Sequence, residues 1–203
     1  MNISAGSLAK NEETAKYQVS GQLLQPWSTP VLKSALPQPI LAKMLAITDS
    51  LVEDSASKSH GDQLVGQIDK ELTIPIDLLE ASEVKGFFES MTKNFVMACK
   101  LQEHPFHHDI VKTVNWRTEI AGCWVVSQRP NEYNPIHFHK QHVSAVMYLK
   151  VPKMESSIKN SDGTDGSIEF LGVGSRDRRL STCQLMVSPV VGDFYIFGAG
   201  QLH

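Results

Sequence analysis

The sequence is short of cysteine, of long apolar runs and of surplus positive charge, and each shortage removes a class of protein. Its three cysteines, Cys99, Cys123 and Cys183, are odd in number and far apart. They frame neither a disulfide scaffold nor a cysteine zinc site, so a reducing, cytoplasmic setting is expected. No apolar run is long enough to cross a bilayer, and the opening residues MNISAGSLAKNEETAKYQ hold no stretch that could act as a signal peptide. With 19 Lys and Arg against 22 Asp and Glu, the formal charge is −3. That balance gives no electrostatic reason to expect nucleic acid, which generally meets a basic face. No internal repeat is visible. What is present, 203 residues of which 41% are hydrophobic and 20% charged, suits one soluble domain with a real core.

Residues 1 to about 22 are polar and weakly patterned, and predict a mobile arm or peripheral strand. From there to residue 203 the expectation is a single domain. Pro26, Pro30, Pro37 and Pro39 punctuate an extended stretch that contains the apolar piece Pro30-Val31-Leu32. A helix is expected over about 39–56, since proline suits a first helical turn and Ile40, Leu41, Met44, Leu45, Leu51 and Val52 follow helical spacing. A second is expected over about 77–101, where Val84, Phe87, Phe88, Met91, Phe95 and Cys99 share one face. That stripe is read as packing against a sheet, not as a ligand pocket.

After His108 the texture changes to strands: Trp116 to Gln128, His137 to Val151, Ser167 to Gly172, Gln184 to Ser188 and Asp193 to Phe197. In the second, Val143, Ala145, Met147, Leu149 and Val151 alternate with Ser144, Val146, Tyr148 and Lys150, a period of two. Turn-rich pieces such as Asn160-Ser161-Asp162-Gly163 and Gly172 to Arg176 separate them. Helices followed by strands predict an α+β chain whose β half, from about residue 113, closes into a sandwich or barrel.

The chemistry concentrates in Tyr133-Asn134-Pro135-Ile136-His137-Phe138-His139. Residues two apart on a strand point the same way, so His137 and His139 can offer both imidazoles to one metal. A third ligand must come from elsewhere, and His203 is the best placed, following Gly192 to Phe197 and a short Gly-Ala-Gly turn. Two ligands together and one about sixty residues later have the layout of a facial triad, which leaves the far side of the ion open. His142 is a substitute for His139 if the strand bulges, although a surface role suits it better. His104, His107 and His108, at an expected helix end, are explained by the helix dipole. Arg176, Asp177, Arg178 and Arg179 read as a solvated loop, and Trp116 and Trp124 as wall or core residues.

The His137-x-His139 segment and Ser144 to Pro152 resemble a family of 2-oxoglutarate-Fe(II) oxygenases found in marine bacteria and phages. Trp27 to Val31, Leu64 to Ile68, Gly166 to Phe170, and Gly192 to Phe197 with His203 extend the similarity from about Trp27 onward. The resemblance implies a double-stranded β-helix, a jelly-roll or cupin-like barrel, with N-terminal supporting helices. It implies Fe(II) held by His137, His139 and His203, with His139 where most relatives carry Asp or Glu. It also implies 2-oxoglutarate and dioxygen as co-substrates, with ascorbate as the reductant in assays. Asn134, Ser144 and Tyr148, near the ligands, are expected to hydrogen-bond the co-substrate. An all-histidine site carries one negative charge fewer than a site with a carboxylate, which weakens its hold on Fe(II). These oxygenases commonly place a basic residue shortly after the distal histidine, and this sequence stops at His203. The expectation is therefore a form truncated at the C-terminus.

Two rival functions stand beside the oxygenase. One is a three-histidine, cupin-type dioxygenase that uses no 2-oxoglutarate; the other is a non-catalytic jelly-roll binding or structural module. The primary substrate is not written in the sequence, a homo-oligomer is left open, and neither a nucleic acid nor a membrane partner is expected.

Overall fold

In the computed structural model, the described residues are 21–24, 30–103, 117–153, 164, 166–172 and 183–203. Most of the expected N-terminal arm, the histidines at 104, 107 and 108, Trp116, the 160–163 turn and the arginine-rich 176–179 stretch lie outside them. The chain groups into two compact units: Pro37–Pro135 with Met1–Gln18, and Ile136–His203 with Val19–Leu36. No helix among the described residues is long and apolar enough to cross a membrane.

The first unit carries the helices. Helix α1 (Gln38–Glu53) starts as expected, with Pro37 at its cap and a proline in the first turn, and buries Ile40, Leu41, Met44 and Thr48. The Thr48 hydroxyl donates to the Met44 carbonyl at 2.9 Å, so burying it costs no unmet hydrogen bond. The single helix expected over 77–101 is two: α2 (Ile76–Ala81) and α3 (Val84–Glu103). Glu83 separates them with φ 63°, a left-handed conformation that cannot continue a right-handed helix. Side-chain periodicity runs across such a break without recording it. Val84, Phe87, Met91 and Phe95 form the buried stripe of α3. A strand not anticipated, β3 (Lys70–Thr73), pairs antiparallel with β4 (Trp124–Ser127), and residues 117–123 before β4 are not strand.

The second unit consists of two antiparallel sheets. β1 (Gly21–Leu24), β2 (Val31–Ala35), β5 (Val143–Met147) and β8 (Asp193–Gly198) form one, in the order β1-β2-β8-β5. β6 (Ile168–Leu171) and β7 (Gln184–Val187) form the other. Gly192, at φ 91°, turns the chain into β8, and Asp193 N–H closes that turn on the Val190 carbonyl at 3.0 Å. Every residue from Asp193 to Phe197 is buried, as expected of a central strand covered on both faces. The sheet also takes in β2, well before residue 113, which pairs Val31 with Phe197 and Lys33 with Tyr195.

Cross-strand pairing fixes which side chains share a face. Val31, Tyr195 and Phe197 lie together, join Val146 and Tyr148 of the β5 segment, and pack on Ile168, Phe170, Leu185 and Val187 of β6 and β7. This layer between the two sheets is the core of the unit. Among the described residues the sheets do not close into a barrel. The α+β class is observed.

Phe170 is fully buried, with its ring edge-on to Phe197 at 5.1 Å. Phe170→Ala should lower unfolding free energy by about 3–5 kcal/mol, the usual cost of emptying a buried aromatic site. Urea denaturation of the variant beside wild type measures it, and a loss under 1 kcal/mol would show that this layer is not the core.

Candidate metal centre

The expected His137–Val151 strand is regular only over Val143–Met147. Residues 137–142 lie outside any assigned strand. Exposure nonetheless alternates from Ile136 to Lys140, with His137 and His139 partly buried and Ile136, Phe138 and Lys140 exposed. The period of two that aims both imidazoles one way therefore survives.

Backbone bonds bring the third imidazole alongside. His137 N–H donates to the His203 carbonyl at 3.0 Å, and His203 N–H returns a bond to the His137 carbonyl at 3.1 Å. Such a reciprocal pair is one rung of an antiparallel ladder, and its two side chains emerge on the same side. His139 N–H is held by the Ala199 carbonyl at 2.8 Å, and Ala199 N–H by the His142 carbonyl at 3.1 Å. A turn at Gly198–Gln201, closed by Gln201 N–H on the Gly198 carbonyl at 2.9 Å, carries the chain from β8 to the third histidine.

The outcome is a cluster. Ring centroids lie 5.0 Å apart for His137 and His139, 4.4 Å for His137 and His203, and 5.3 Å for His139 and His203. One ligating nitrogen from each lies within 4.8 Å of the other two. A cation about 2.0–2.1 Å from each imidazole nitrogen needs them somewhat closer, a change that side-chain rotation can supply.

Gln201, a residue that no motif singles out, sets the tautomer of His203. Its carbonyl lies 2.8 Å from Nδ1 of His203, and a carbonyl can only accept, so Nδ1 carries the proton. Nε2 then keeps a lone pair that can accept a metal. The Gln201 side chain is itself buried and fixed, donating through Nε2 to the carbonyls of Leu171 at 2.6 Å and Leu202 at 2.7 Å. Phe197 lies edge-on to the His203 ring at 4.7 Å, with Phe170 at 6.3 Å. Burial among these rings lowers the His203 pKa to about 4; the Gln201 bond pulls the other way, and His137 and His139 lower it further. Burial, then the charge of His137, also lowers His139. Both shifts favour the uncharged imidazole, the form that binds a metal.

The other expected residues are not gathered in this way. Asn134 is exposed and belongs to the first unit, where a Cβ on Gly66 would collide with its side-chain oxygen and with the Glu71 carboxylate. Ser144 pairs with Phe197 and so shares the face that leads to His203. Tyr148 lies on the same face, edge-on to Tyr195 at 6.1 Å, and burial raises its hydroxyl pKa. His142 is exposed, in keeping with a surface role.

Residues 122–203 match the model of a family described as "Putative 2OG-Fe(II) oxygenase". The match covers 82 of the 203 residues. Comparison with curated proteins and with solved structures gave no match. The matched segment contains all three histidines, β4 to β8 and the Gln201 turn.

The donor set fits a divalent transition metal such as Fe(II). Three imidazoles converge, and a part-buried hydrogen bond to Nδ1 of His203 leaves the Nε2 lone pair free. His203→Ala should weaken binding of Co(II), used as an optical probe, by more than about 100-fold, since losing even a group that only orients a ligand costs about 10- to 100-fold. His142→Ala should leave it unchanged. Equal Co(II) affinity in wild type and His203→Ala would remove His203 from the site.

Proposed function

We propose that this protein is a non-haem Fe(II), 2-oxoglutarate-dependent oxygenase whose metal is held by His137, His139 and His203. The observation that carries the proposal is the convergence of these imidazoles inside the segment that matches the oxygenase family. When bound, the iron with 2-oxoglutarate and dioxygen supplies oxidative decarboxylation to succinate, coupled to oxidation of a substrate.

The chain's own residues supply geometry and environment. The reciprocal bonds between His137 and His203 keep two donors side by side, and the Gln201 carbonyl orients the third ring nitrogen pair. Phe170 and Phe197 exclude water from one flank of His203, which strengthens polar interactions there. In this reading Ser144 and Tyr148, which share a face with Phe197 and Tyr195, would offer hydroxyls to the co-substrate, and Asn134 would add a hydrogen bond. The double-stranded β-helix is the barrel to which these sheets are assigned on the family match, and the two compact units are read as one oxygenase-like protein.

One observation favours a second reading. The all-histidine donor set is neutral, and a three-histidine dioxygenase of cupin type would need no 2-oxoglutarate. Protein reconstituted with Fe(II) and ascorbate separates the two by its products. The first reading expects succinate from 2-oxoglutarate in wild type, at a rate at least about 100-fold above His137→Ala. Oxygen uptake on a substrate panel without succinate would favour the cupin-type reading. Purified protein that takes up no metal would reduce it to a binding or structural module.

A further inference from the structure

The segments that carry the histidines have a second face. Paired strands place facing residues on one side, and a step of one residue reverses the side. His137 and His203 share a rung, so Phe138 and Leu202, one step along, lie on the reverse, and Ile136 with them. Leu202 is bridged in turn to Leu171 of β6, whose neighbour Phe170 is turned inward toward His203. Pairing of β6 with β7 carries this outer face on to Gln184, opposite Leu171, and to Met186, opposite Glu169. All of these residues belong to the second unit.

The face is apolar and open to solvent. Ile136 is 60% exposed, Phe138 59%, Leu202 43% and Met186 39%. Together these side chains leave roughly 400 Å² of apolar surface in water, the size of the largest patch on a typical monomer and a common mark of an interface.

The charges on the face say what fits it. Among its described residues the charged ones are Lys140 and Glu169. The 136–140 segment and β6 each run antiparallel to the 202–203 segment, and so parallel to each other. Lys140 follows Phe138 by two residues, whereas Glu169 precedes Leu171 by two. The lysine therefore stands at one end of the face and the glutamate at the other, diagonally across Leu202. Gln184 donates to one carboxylate oxygen of Glu169, which leaves the second for a partner.

A half-turn about an axis through Leu202, in the plane of the face, lays this surface on its own image. It brings Lys140 of each copy to Glu169 of the other, and Phe138 against the apolar centre. Such self-complementarity is what a twofold interface requires. A stable interface takes about 800 Å² from each partner. The apolar centre supplies about half of that, and a polar rim of the kind interfaces carry supplies the rest.

We propose that this face is the interface of a homodimer, in which a second copy of the chain sits on the reverse of the histidine-bearing segments. Phe138 and Leu202 form its centre, and Lys140–Glu169 pairs close it at both ends. The proposal does not depend on the oxygenase reading.

Sedimentation velocity on the whole chain across the micromolar range tests it. Wild type should sediment as a dimer. Phe138→Asp should weaken association by at least about 100-fold, because it buries an uncompensated charge at the centre. Met186→Asp, remote in sequence from the histidines, provides the same test if Phe138→Asp fails to fold. Lys140→Glu and Glu169→Lys should each weaken the dimer by about tenfold, and the double exchange should restore it. Val190→Asp should leave the dimer intact, since Val190 is 60% exposed but lies on the turn into β8, off this face. A monomeric wild type overturns the proposal, as does a dimer that survives both Phe138→Asp and Met186→Asp. A double charge exchange that associates no better than the single ones overturns the twofold arrangement.

Discussion

Two backbone hydrogen bonds between His137 and His203 are the constraint on which the site depends. Imidazoles drawn from positions 66 residues apart would otherwise have no reason to meet. A reciprocal pair at 3.0 and 3.1 Å places both Cα atoms on one rung and both side chains on one side. Once that rung exists, alternation along the segment brings His139 to the same side. The central strand β8, buried throughout and flanked by β2 and β5, delivers the chain to the Gly198–Gln201 turn from which His203 departs. Core and site are therefore coupled: Phe197 closes the apolar layer with one side of its ring environment and bears on His203 with another.

The convergence of the three histidines was legible because its logic is local. A His-x-His spacing states its own geometry on any extended backbone, and that geometry held although residues 137–142 are not regular strand. The third histidine was recognisable as the end of a strand-and-turn run, Gly192 to His203. Strands β6, β7 and β8 followed equally from short apolar stretches between turns. What the sequence concealed was non-local. Val31 to Ala35 looks like a short apolar piece among prolines, and only pairing with Asp193 to Phe197 makes it part of a four-stranded sheet. The break at Glu83 is a single backbone dihedral inside an unbroken hydrophobic stripe. Gln201 acts through its carbonyl, a group every residue has, so no side-chain pattern could have announced it.

The polar groups buried in the layer between the sheets have a consistent arrangement. Lys33, Asp193 and the Tyr195 hydroxyl meet at one carboxylate oxygen, which also ties down the Val190 turn. A charge that is 5% exposed persists only when it is compensated. Here the compensation comes from three different elements of the unit, so this small network fixes the register of β2 against β8 as well as the position of the ammonium.

The bond from the His203 ring to the Gln201 carbonyl also bears on the cost of capture. A histidine on a freely rotating side chain must give up rotational freedom and choose a tautomer when an ion arrives. Here the tautomer is already chosen and the ring already wedged against Phe197, so that entropy was surrendered when the chain folded. On the proposed metal reading, the third donor is held beforehand in the tautomer that an ion needs.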